Sequence, residues 1–278
     1  MVVKIVTDST SDISPEVASA LGITVLPVYV RFGDEVYRDG VDISNEEFYH
    51  KMATSFVHPA TSQPTPEDFA RVYSDCSKEA DGIISIHISA KVSGIYNSAL
   101  QGKKMTEGEC KIEVVDSHVA SVGLALIVMA AAKVASVGGS LLDVFEETQK
   151  AIKQVCMTGL VDTMRYLVLG GRLNKATAVV ASILDIKPLL TFKDGDIVRD
   201  RLVHTYLQGI DRLQKFVEGN RDIQDLAIAY STESEQARSL KARLGSYLPE
   251  ENLYLTQLGA GLGVHLGPGV LIVALRRE

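Results

Sequence analysis

The sequence predicts an α/β protein with a parallel sheet and two domains. Short β-branched runs alternate with helical segments through the first half of the chain, a pattern typical of parallel sheets. A chain of 278 residues is long enough for one or two domains. In the second half, Lys193-Asp194-Gly195 separates two β-rich runs and predicts a hairpin. We expect a parallel-sheet domain over residues 1–160 and an α/β domain with an inserted β-hairpin over residues 161–278, with the boundary placed to within several residues.

The composition excludes several classes of protein. Hydrophobic residues make up 46% and charged residues 23% of the chain, as in ordinary globular proteins. The net charge of −7 argues against binding to nucleic acid. Three widely spaced cysteines without a CxxC motif support neither a zinc site nor a disulfide framework, and they fit a reducing compartment. The apolar stretch 119–138 contains Lys133 and follows a predicted strand, so we interpret it as a buried helix and not as a membrane span.

The elements of the first half have clear local signals. Ser44 to Glu47 forms a capping box, and Thr65-Pro66 predicts the start of a helix. The predicted strands are Val2 to Thr7, Ile23 to Phe32 continuing through a turn into Glu35 to Tyr37, Ile83 to Ile88, and Lys111 to Val115. The predicted helices are 14–22, 44–52, one that begins at Thr65-Pro66, a segment from about Ile95, 119–138 preceded by the capping pair Asp116-Ser117, and 141–155.

The second half continues the alternation. The predicted helices are a short one ending at Gly170-Gly171, then Lys175 to Leu184, Val203 to Val217 and Glu233 to Leu244. The predicted strands are Ile186 to Phe192, Asp196 to Val198, Leu226 to Tyr230, Leu253 to Gln257 and Val270 to Leu275. Between the last two strands, a glycine-rich crossing over residues 258–269 is expected.

Three hydroxyl-bearing loops follow predicted strands or precede helices: Asp8-Ser9-Thr10, Thr61-Ser62-Gln63 and Ser93-Gly94. In open parallel sheets, ligands bind beside the carboxyl ends of the strands. Hydroxyls and backbone N–H groups without a nearby base favour the holding of an anion such as a carboxylate. For Ser93 taken alone, helix capping is the favoured interpretation and anion binding the alternative.

His265 lies in the segment Gly-Val-His-Leu-Gly-Pro-Gly, where the glycines allow close approach of the backbone. A loop histidine is usually structural, and this glycine frame makes a ligand contact an equal alternative. The run Gly259-Ala260-Gly261-Leu262-Gly263 has the wrong spacing and context for a nicotinamide cofactor. No phosphate loop, HExxH, GxSxG or metal-ligand spacing is present, so no cofactor and no metal is expected.

The ordered blocks of the chain resemble the DegV family. They are T-D-S-T-S-D-I, R-D-G-V-D-I, T-S-Q-P-T-P, V-S-G-I-Y-N-S-A, V-V-D-S, G-G-R-L, I-K-P-L-L-T-F-K-D-G and V-H-L-G-P-G, and they cover nearly the whole chain. The S-G-x-Y-x-S-A and H-x-G-P-G patterns are the most diagnostic. The resemblance implies a Rossmann-like N-terminal domain, and a long-chain fatty acid bound between the two domains.

The resemblance also implies a partner and a set of site residues. Family members present the fatty acid to a separate fatty-acid kinase, and the acyl phosphate then enters phospholipid synthesis. Thr61, Ser93 with the Gly94 backbone, and His265 would hold the carboxylate. Residues near the head group or facing the partner would be Ser62, Asn97, Arg172, Arg201 and His204. The implied protein is cytoplasmic and bacterial, binds no nucleic acid, and makes at most a transient contact with a membrane surface.

One departure weakens the implied kinase docking. The family often has a K-V-R-T-R-like run after the hairpin, whereas this chain has Leu202-Val203-His204-Thr205-Tyr206. A histidine that is neutral at pH 7 replaces a fixed cation, and Arg201 could compensate from nearby.

Two other functions stay open at this point. The first is an enzyme that acts on an acyl or phosphoryl substrate with Ser93 and His265, although a third triad member is missing. The second is a DNA-binding regulator, which the acidic balance makes the weakest of the three.

Overall fold

The computed structural model describes residues 2–172, 186–245 and 247–278. Its strands are β1 Val3–Asp8, β2 Ile23–Leu26, β3 Tyr29–Phe32, β4 Glu35–Arg38, β5 Ala60–Ser62, β6 Gly82–His87, β7 Lys111–Asp116, β8 Val155–Leu160, β9 Lys187–Lys193, β10 Asp196–Val203, β11 Ile223–Tyr230, β12 Leu253–Gln257 and β13 Leu271–Arg277. Its helices are α1 Pro15–Leu21, α2 Asn45–Thr54, α3 Pro66–Ser77, α4 Ile95–Met105, α5 Ser121–Ser136, α6 Leu141–Gln154, α7 Arg165–Leu169, α8 Tyr206–Glu218, α9 Ser234–Leu244 and α10 Ala260–Leu266. The α/β fold class is confirmed.

A four-stranded parallel sheet with the order β2-β1-β6-β7 forms the N-terminal part. Strand β6 is buried along its whole length, which agrees with its run of isoleucines. The capping boxes at Ser44 and Thr65 both form, so α2 and α3 begin where their local sequence predicts.

The predicted run from Ile23 to Phe32 is divided between two sheets. Its first part, β2, pairs with β1 in the parallel sheet. Its second part, β3, pairs with β4 and β5 in a small antiparallel sheet with the order β4-β3-β5. Pro27, between the two parts, carries no N–H group for a ladder. The segment around Thr61, predicted as a loop, is the short strand β5.

A six-stranded mixed sheet with the order β10-β9-β8-β13-β11-β12 forms the C-terminal part. The hairpin predicted around Asp194-Gly195 is present as β9 and β10. Strand β8 was not predicted, and it pairs with β13 and β9 in this sheet. Residues 155–160 therefore belong to the second sheet, although the predicted boundary near residue 160 places them in the first domain. The division of the chain into two domains stays a prediction.

Helix α5 lies between the two larger sheets, in one hydrophobic cluster with residues of both. Leu124, Leu126 and Ile127 are almost fully buried, together with the alanines around them. A helix that is apolar on all sides is expected in such a position. The predicted cap Asp116-Ser117 is wrong: α5 begins after Ala120, which makes no side-chain capping bond.

Two further predictions concern the C-terminal half. The glycine-rich crossing contains helix α10, so the expectation that His265 lies in a loop is wrong. The predicted helix from Lys175 to Leu184 lies outside the described residues. The helices predicted from Val203 and Glu233 are present as α8 and α9, with Thr205 as the N-cap of α8.

Candidate functional site

A cavity of about 350 Å³ lies between the mixed sheet and the carboxyl ends of the parallel strands. Its volume falls within the range of small-molecule sites, roughly 300–1,000 Å³. Its apolar lining comes from both parts of the chain: Val28, Ile88, Val92, Ile95, Ala120, Met157, Val161, Leu167, Leu190, Phe192, Ile197, Leu262, Leu266 and Ile272. Its polar lining residues are Thr10, Thr61, Ser62, Gln63, Ser93, Ser121, Arg172, Thr191 and His265. The cavity thus combines a hydrocarbon wall with a limited set of polar groups.

Thr61 and His265 meet at this cavity across the two halves of the chain. The hydroxyl of Thr61 lies 2.8 Å from Nε2 of His265. Strand β5 positions the threonine through its pairing with β3, and the last turn of α10 positions the histidine. A hydroxyl can donate or accept, so this contact serves either tautomer of a neutral imidazole.

The electrostatic state of His265 follows from its surroundings. His265 is 8% exposed as a whole residue, and its burial together with the nearby positive charge of Arg172 lowers its pKa to about 4. His265 is therefore neutral at pH 7. Its Nδ1 atom lies against Gly170 and has no hydrogen-bond partner in the part of the chain that the structure describes.

Ser93 occupies the turn before α4 but is not its N-cap, so the favoured capping interpretation is wrong. Gly94 is the N-cap and makes no side-chain capping bond. The hydroxyl of Ser93 accepts a long hydrogen bond of 3.3 Å from the Ile95 amide and still lines the cavity. A weak local acceptor bond leaves its O–H free to donate to a ligand.

The absence of a side chain at Gly94 lets Gln63 cover the backbone there. A Cβ at this position would come within 2.1 Å of Oε1 of Gln63. The Gln63 amide also donates to Oγ of Ser98 at 2.9 Å. Contact with Gln63 thus ties the loop of Thr61 and Ser62 to the loop of Ser93.

Gly94 and Asn97 line an outer groove that adjoins the cavity at Ser93 and Arg172. The hairpin β9–β10 borders this groove: its Gly195 carbonyl accepts from Ser89 at 2.7 Å, and Asp196 pairs with Lys91 at 2.8 Å. Arg172 is exposed on the groove, and its guanidinium donates to the Gly170 carbonyl. The positive charge of Arg172 acts on the nearby His265 and helps to lower its pKa.

The remaining predicted residues take separate places. Ser62 is exposed and lines the cavity rim. Arg201 lies exposed on β10, and His204 lies exposed just before α8. Neither of these two residues lines the cavity or the outer groove. Their predicted role as partner-facing residues stays a prediction.

The family model of DegV, described as "Uncharacterised protein, DegV family", matches residues 2–278. The chain belongs to the DegV family. Among curated relatives, a DegV domain-containing protein of Deinococcus radiodurans is 33% identical over 99% of this chain and 98% of its own length. Protein DegV of Bacillus subtilis is 29% identical over 98% of both chains.

Solved DegV structures superpose over the whole chain. A DegV family protein from Thermus thermophilus, described for its fatty-acid binding, is 33% identical with a TM-score of 0.90 and full coverage of both chains. DegV from Bacillus subtilis, described as a fatty-acid-binding protein, is 28% identical with a TM-score of 0.91 and full coverage. A stearic-acid-binding protein from Eubacterium ventriosum is 25% identical, covers 99% of this chain and 98% of that one, and has a TM-score of 0.87.

A second polar network of this DegV chain is sealed below the cavity. His87 bonds Asp8 through Nδ1 at 2.8 Å and Ser85 through Nε2 at 2.7 Å, and the Tyr73 hydroxyl donates to Ser85 at 2.8 Å. The order Ser-His-Asp matches a catalytic triad. All four side chains are fully buried, however, so no substrate can reach the serine. Asp8 also accepts hydrogen bonds from Thr10, a cavity residue, so the network supports the cavity wall.

Sequence reasoning missed two buried aspartates, Asp12 and Asp39, whose carboxyl groups bind the start of α10. The only local signal was their place in the T-D-S-T-S-D-I and R-D-G-V-D-I blocks. Burial raises the pKa of Asp12 to about 8 and raises that of Asp39 as well.

The described residues hold no group of three or more histidine, cysteine, aspartate or glutamate side chains that could bind a metal ion. Within the same residues, no helix has both the length and the apolarity needed to cross a membrane.

Proposed function

We propose that this DegV protein binds one long-chain fatty acid in the cavity between its two halves. The observation that carries the proposal is the meeting of Thr61, Ser93 and His265 at one cavity whose other walls are apolar. Fatty-acid binding by DegV proteins from Thermus thermophilus and Bacillus subtilis supports it.

The hydrocarbon tail and the carboxylate head of the fatty acid contribute differently to the free energy of binding. Each methylene buried contributes about 0.8 kcal/mol, so a tail of roughly fifteen methylenes supplies about 12 kcal/mol before binding costs are subtracted. A hydrogen bond to a charged carboxylate contributes about 1.5–3 kcal/mol. The tail therefore dominates the affinity, and Thr61, Ser93, the Gly94 backbone and His265 set the orientation of the head.

We further propose that the carboxylate is presented to a separate fatty-acid kinase. Ser93 and Arg172 line both the cavity and the outer groove, so a head group held there is within reach of a partner. The protein then acts as a substrate carrier in the cytoplasm, in agreement with its three free cysteines, Cys76, Cys110 and Cys156.

The geometry does not favour the alternative of an acyl or phosphoryl enzyme. A triad carboxylate would have to bind Nδ1 of His265, and that atom has no partner among the described residues. Nε2 is bonded to Thr61, and Ser93 bonds the Ile95 amide.

Native mass spectrometry tests the proposal. Protein incubated with palmitate should show a 1:1 adduct, and affinity should fall across a series of shorter saturated acids by about 0.8 kcal/mol per methylene removed. Equal affinity for butyrate and palmitate would contradict an apolar tail site. Loaded protein with ATP alone should yield no acyl phosphate, and addition of a fatty-acid kinase should yield it.

A further inference from the structure

The first turn of α10 is held by a buried carboxylate from the other half of the chain. Oδ1 of Asp39 accepts a hydrogen bond from the Ala260 amide at 2.9 Å, and Oδ2 accepts from the Gly261 amide at 3.0 Å. Ser9 Oγ donates to Oδ2 at 2.8 Å. Three donors thus converge on one carboxylate that is 4% exposed. Helix N-terminal amides are the groups that otherwise lack partners, and the helix dipole favours a negative charge beside them.

A second buried carboxyl group, that of Asp12, binds the residue just before the helix. Oδ1 of Asp12 accepts from the Gly259 amide at 2.8 Å, and Oδ2 accepts from Ser121 at 2.6 Å. The backbone of Asp12 has a φ of +53°, a left-handed conformation that few residues other than glycine adopt. Its carbonyl accepts hydrogen bonds from Tyr254 and Thr256 in the strand that leads to α10.

The geometry of α10 links this end of the helix to the cavity. Gly261 and His265 are four residues apart, so they share one face, and both line the cavity. The other side of α10 packs tightly on α2: a Cβ at Gly263 would come within 2.5 Å of the Phe48 ring. The Tyr49 hydroxyl donates to the Leu258 carbonyl at 3.2 Å. Because Gly261 and His265 belong to one helix of seven residues, a shift of its first turn would carry the His265 ring with it.

We propose that Asp39 is a positioning residue for the head-group site: its carboxylate fixes the first turn of α10 and thereby sets where His265 meets Thr61 and the ligand. This inference rests on the proposed fatty-acid site for its ligand and on the contacts of Asp39 for its geometry. Burial of a carboxylate is costly unless it is fully hydrogen-bonded, and an apolar residue here would leave the α10 amides without partners.

The test is Asp39→Asn, because both oxygens of Asp39 accept backbone N–H bonds and an amide nitrogen can only donate. Released from its place, His265 becomes more solvated. Its pKa, followed by NMR of the imidazole in ligand-free protein, should rise from about 4 toward the ordinary value of about 6.5. The dissociation constant for palmitate should increase at least tenfold. Asp12→Asn should have a smaller effect, because its amide can keep the Gly259 contact and donate to the Ser121 hydroxyl.

Asp42→Asn is the matched control, since the Asp42 carboxylate contacts only Arg38 among the hydrogen bonds of the described residues. It should change neither the His265 pKa nor palmitate binding. An Asp39→Asn protein that folds with both quantities unchanged would overturn the proposal.

A milder variant serves if Asp39→Asn does not fold. Gly261→Ala keeps an ordinary helical backbone but places a Cβ 3.0 Å from Oδ2 of Asp39, so the carboxylate or the helix must move. It should shift the His265 pKa in the same direction by a smaller amount, and an unchanged pKa would count against the proposal. The pKa of His265 is measured without ligand, so it tests the positioning role of Asp39 independently of palmitate binding. A wild-type protein that binds no palmitate would refute the fatty-acid site alone.

Discussion

At the scale of single residues, the candidate site depends on a neutral histidine. The Thr61 hydroxyl contacts Nε2 of His265, while burial and the charge of Arg172 keep the ring unprotonated at neutral pH. An anionic head group next to this ring would favour its protonated form. Binding of a carboxylate should therefore be coupled to the charge of His265.

Ser93→Ala should weaken palmitate binding. The variant removes one hydroxyl donor to a charged acceptor, a loss of about 1.5–3 kcal/mol, or roughly tenfold or more in the dissociation constant. Stability should change little, because among the hydrogen bonds of the described residues the Ser93 hydroxyl makes only the 3.3 Å contact with the Ile95 amide. Titration by fluorescence or calorimetry measures the affinity. Wild-type affinity in this variant would assign Ser93 to the turn alone.

The lowered pKa of His265 should make stability pH-dependent. Between pH 6.5 and about 4 the unfolded chain binds a proton that the folded chain does not, so the free energy of unfolding falls as the pH falls. The full effect is on the order of 3 kcal/mol. The measurement is the unfolding free energy of wild type and of His265→Gln, obtained from urea unfolding at several pH values. Asp12 and Asp39 are present in both proteins, so their contributions cancel in the difference. A difference that does not vary with pH would contradict the buried neutral ring.

At the scale of elements, α7 and α10 meet where the histidine packs on a glycine. Gly170 ends α7 with ordinary helical dihedrals, and a Cβ there would lie 2.1 Å from Nδ1 of His265. This position therefore requires glycine for space and not for backbone conformation.

Gly170→Ala should displace His265 and weaken both stability and palmitate binding. Overpacking of this kind costs about 1–3 kcal/mol. Gly245→Ala is the matched control: Gly245 also ends a helix with ordinary dihedrals, and its Cβ would lie 3.4 Å from the Lys241 carbonyl. Urea midpoints and palmitate titrations of both variants measure the effects. Equal changes in the two variants would refute a steric link to His265.

The elements differ in how well the sequence predicts them. Capping residues such as Ser44 and Thr65 act within four positions, so α2 and α3 could be predicted. Strand β8 has the sequence V-C-M-T-G-L and owes its conformation to pairing with distant β13 and β9. Helix α10 contains two glycines, and its start is stabilised by Asp39, which lies 221 positions from Ala260. Such long-range contacts leave no local signal.

Some parts of the candidate site could be predicted from local sequence and others could not. Loops that follow strands, such as the one with Ser93, could be located from the alternation of elements. The contact between Thr61 and His265 spans 204 positions, and only the family resemblance brought these two residues together before the structure did.

At the scale of the whole molecule, the two sheets share one hydrophobic cluster through α5, and the cavity lies where they meet. A ligand in this place contacts both halves at once, so it stabilises the folded chain by mass action.

Saturating palmitate should raise the melting temperature. At a free concentration of about 100 times the dissociation constant, the gain is about 2.7 kcal/mol. At roughly 2–4 °C per kcal/mol, this corresponds to about 5–10 °C. Differential scanning calorimetry with palmitate, and with butyrate at the same concentration as control, measures it. An equal shift with both acids would indicate a non-specific effect.

The position of α5 has a consequence for dissection of the protein. A fragment that stops near residue 160 would keep the apolar helix α5 but would lose β11 and β13, which cover one of its sides. The complementary fragment would carry a bare sheet face and an α10 without Asp39. Neither fragment should fold on its own. Chimeras made between relatives should therefore be stable only when both fragments come from the same parent protein.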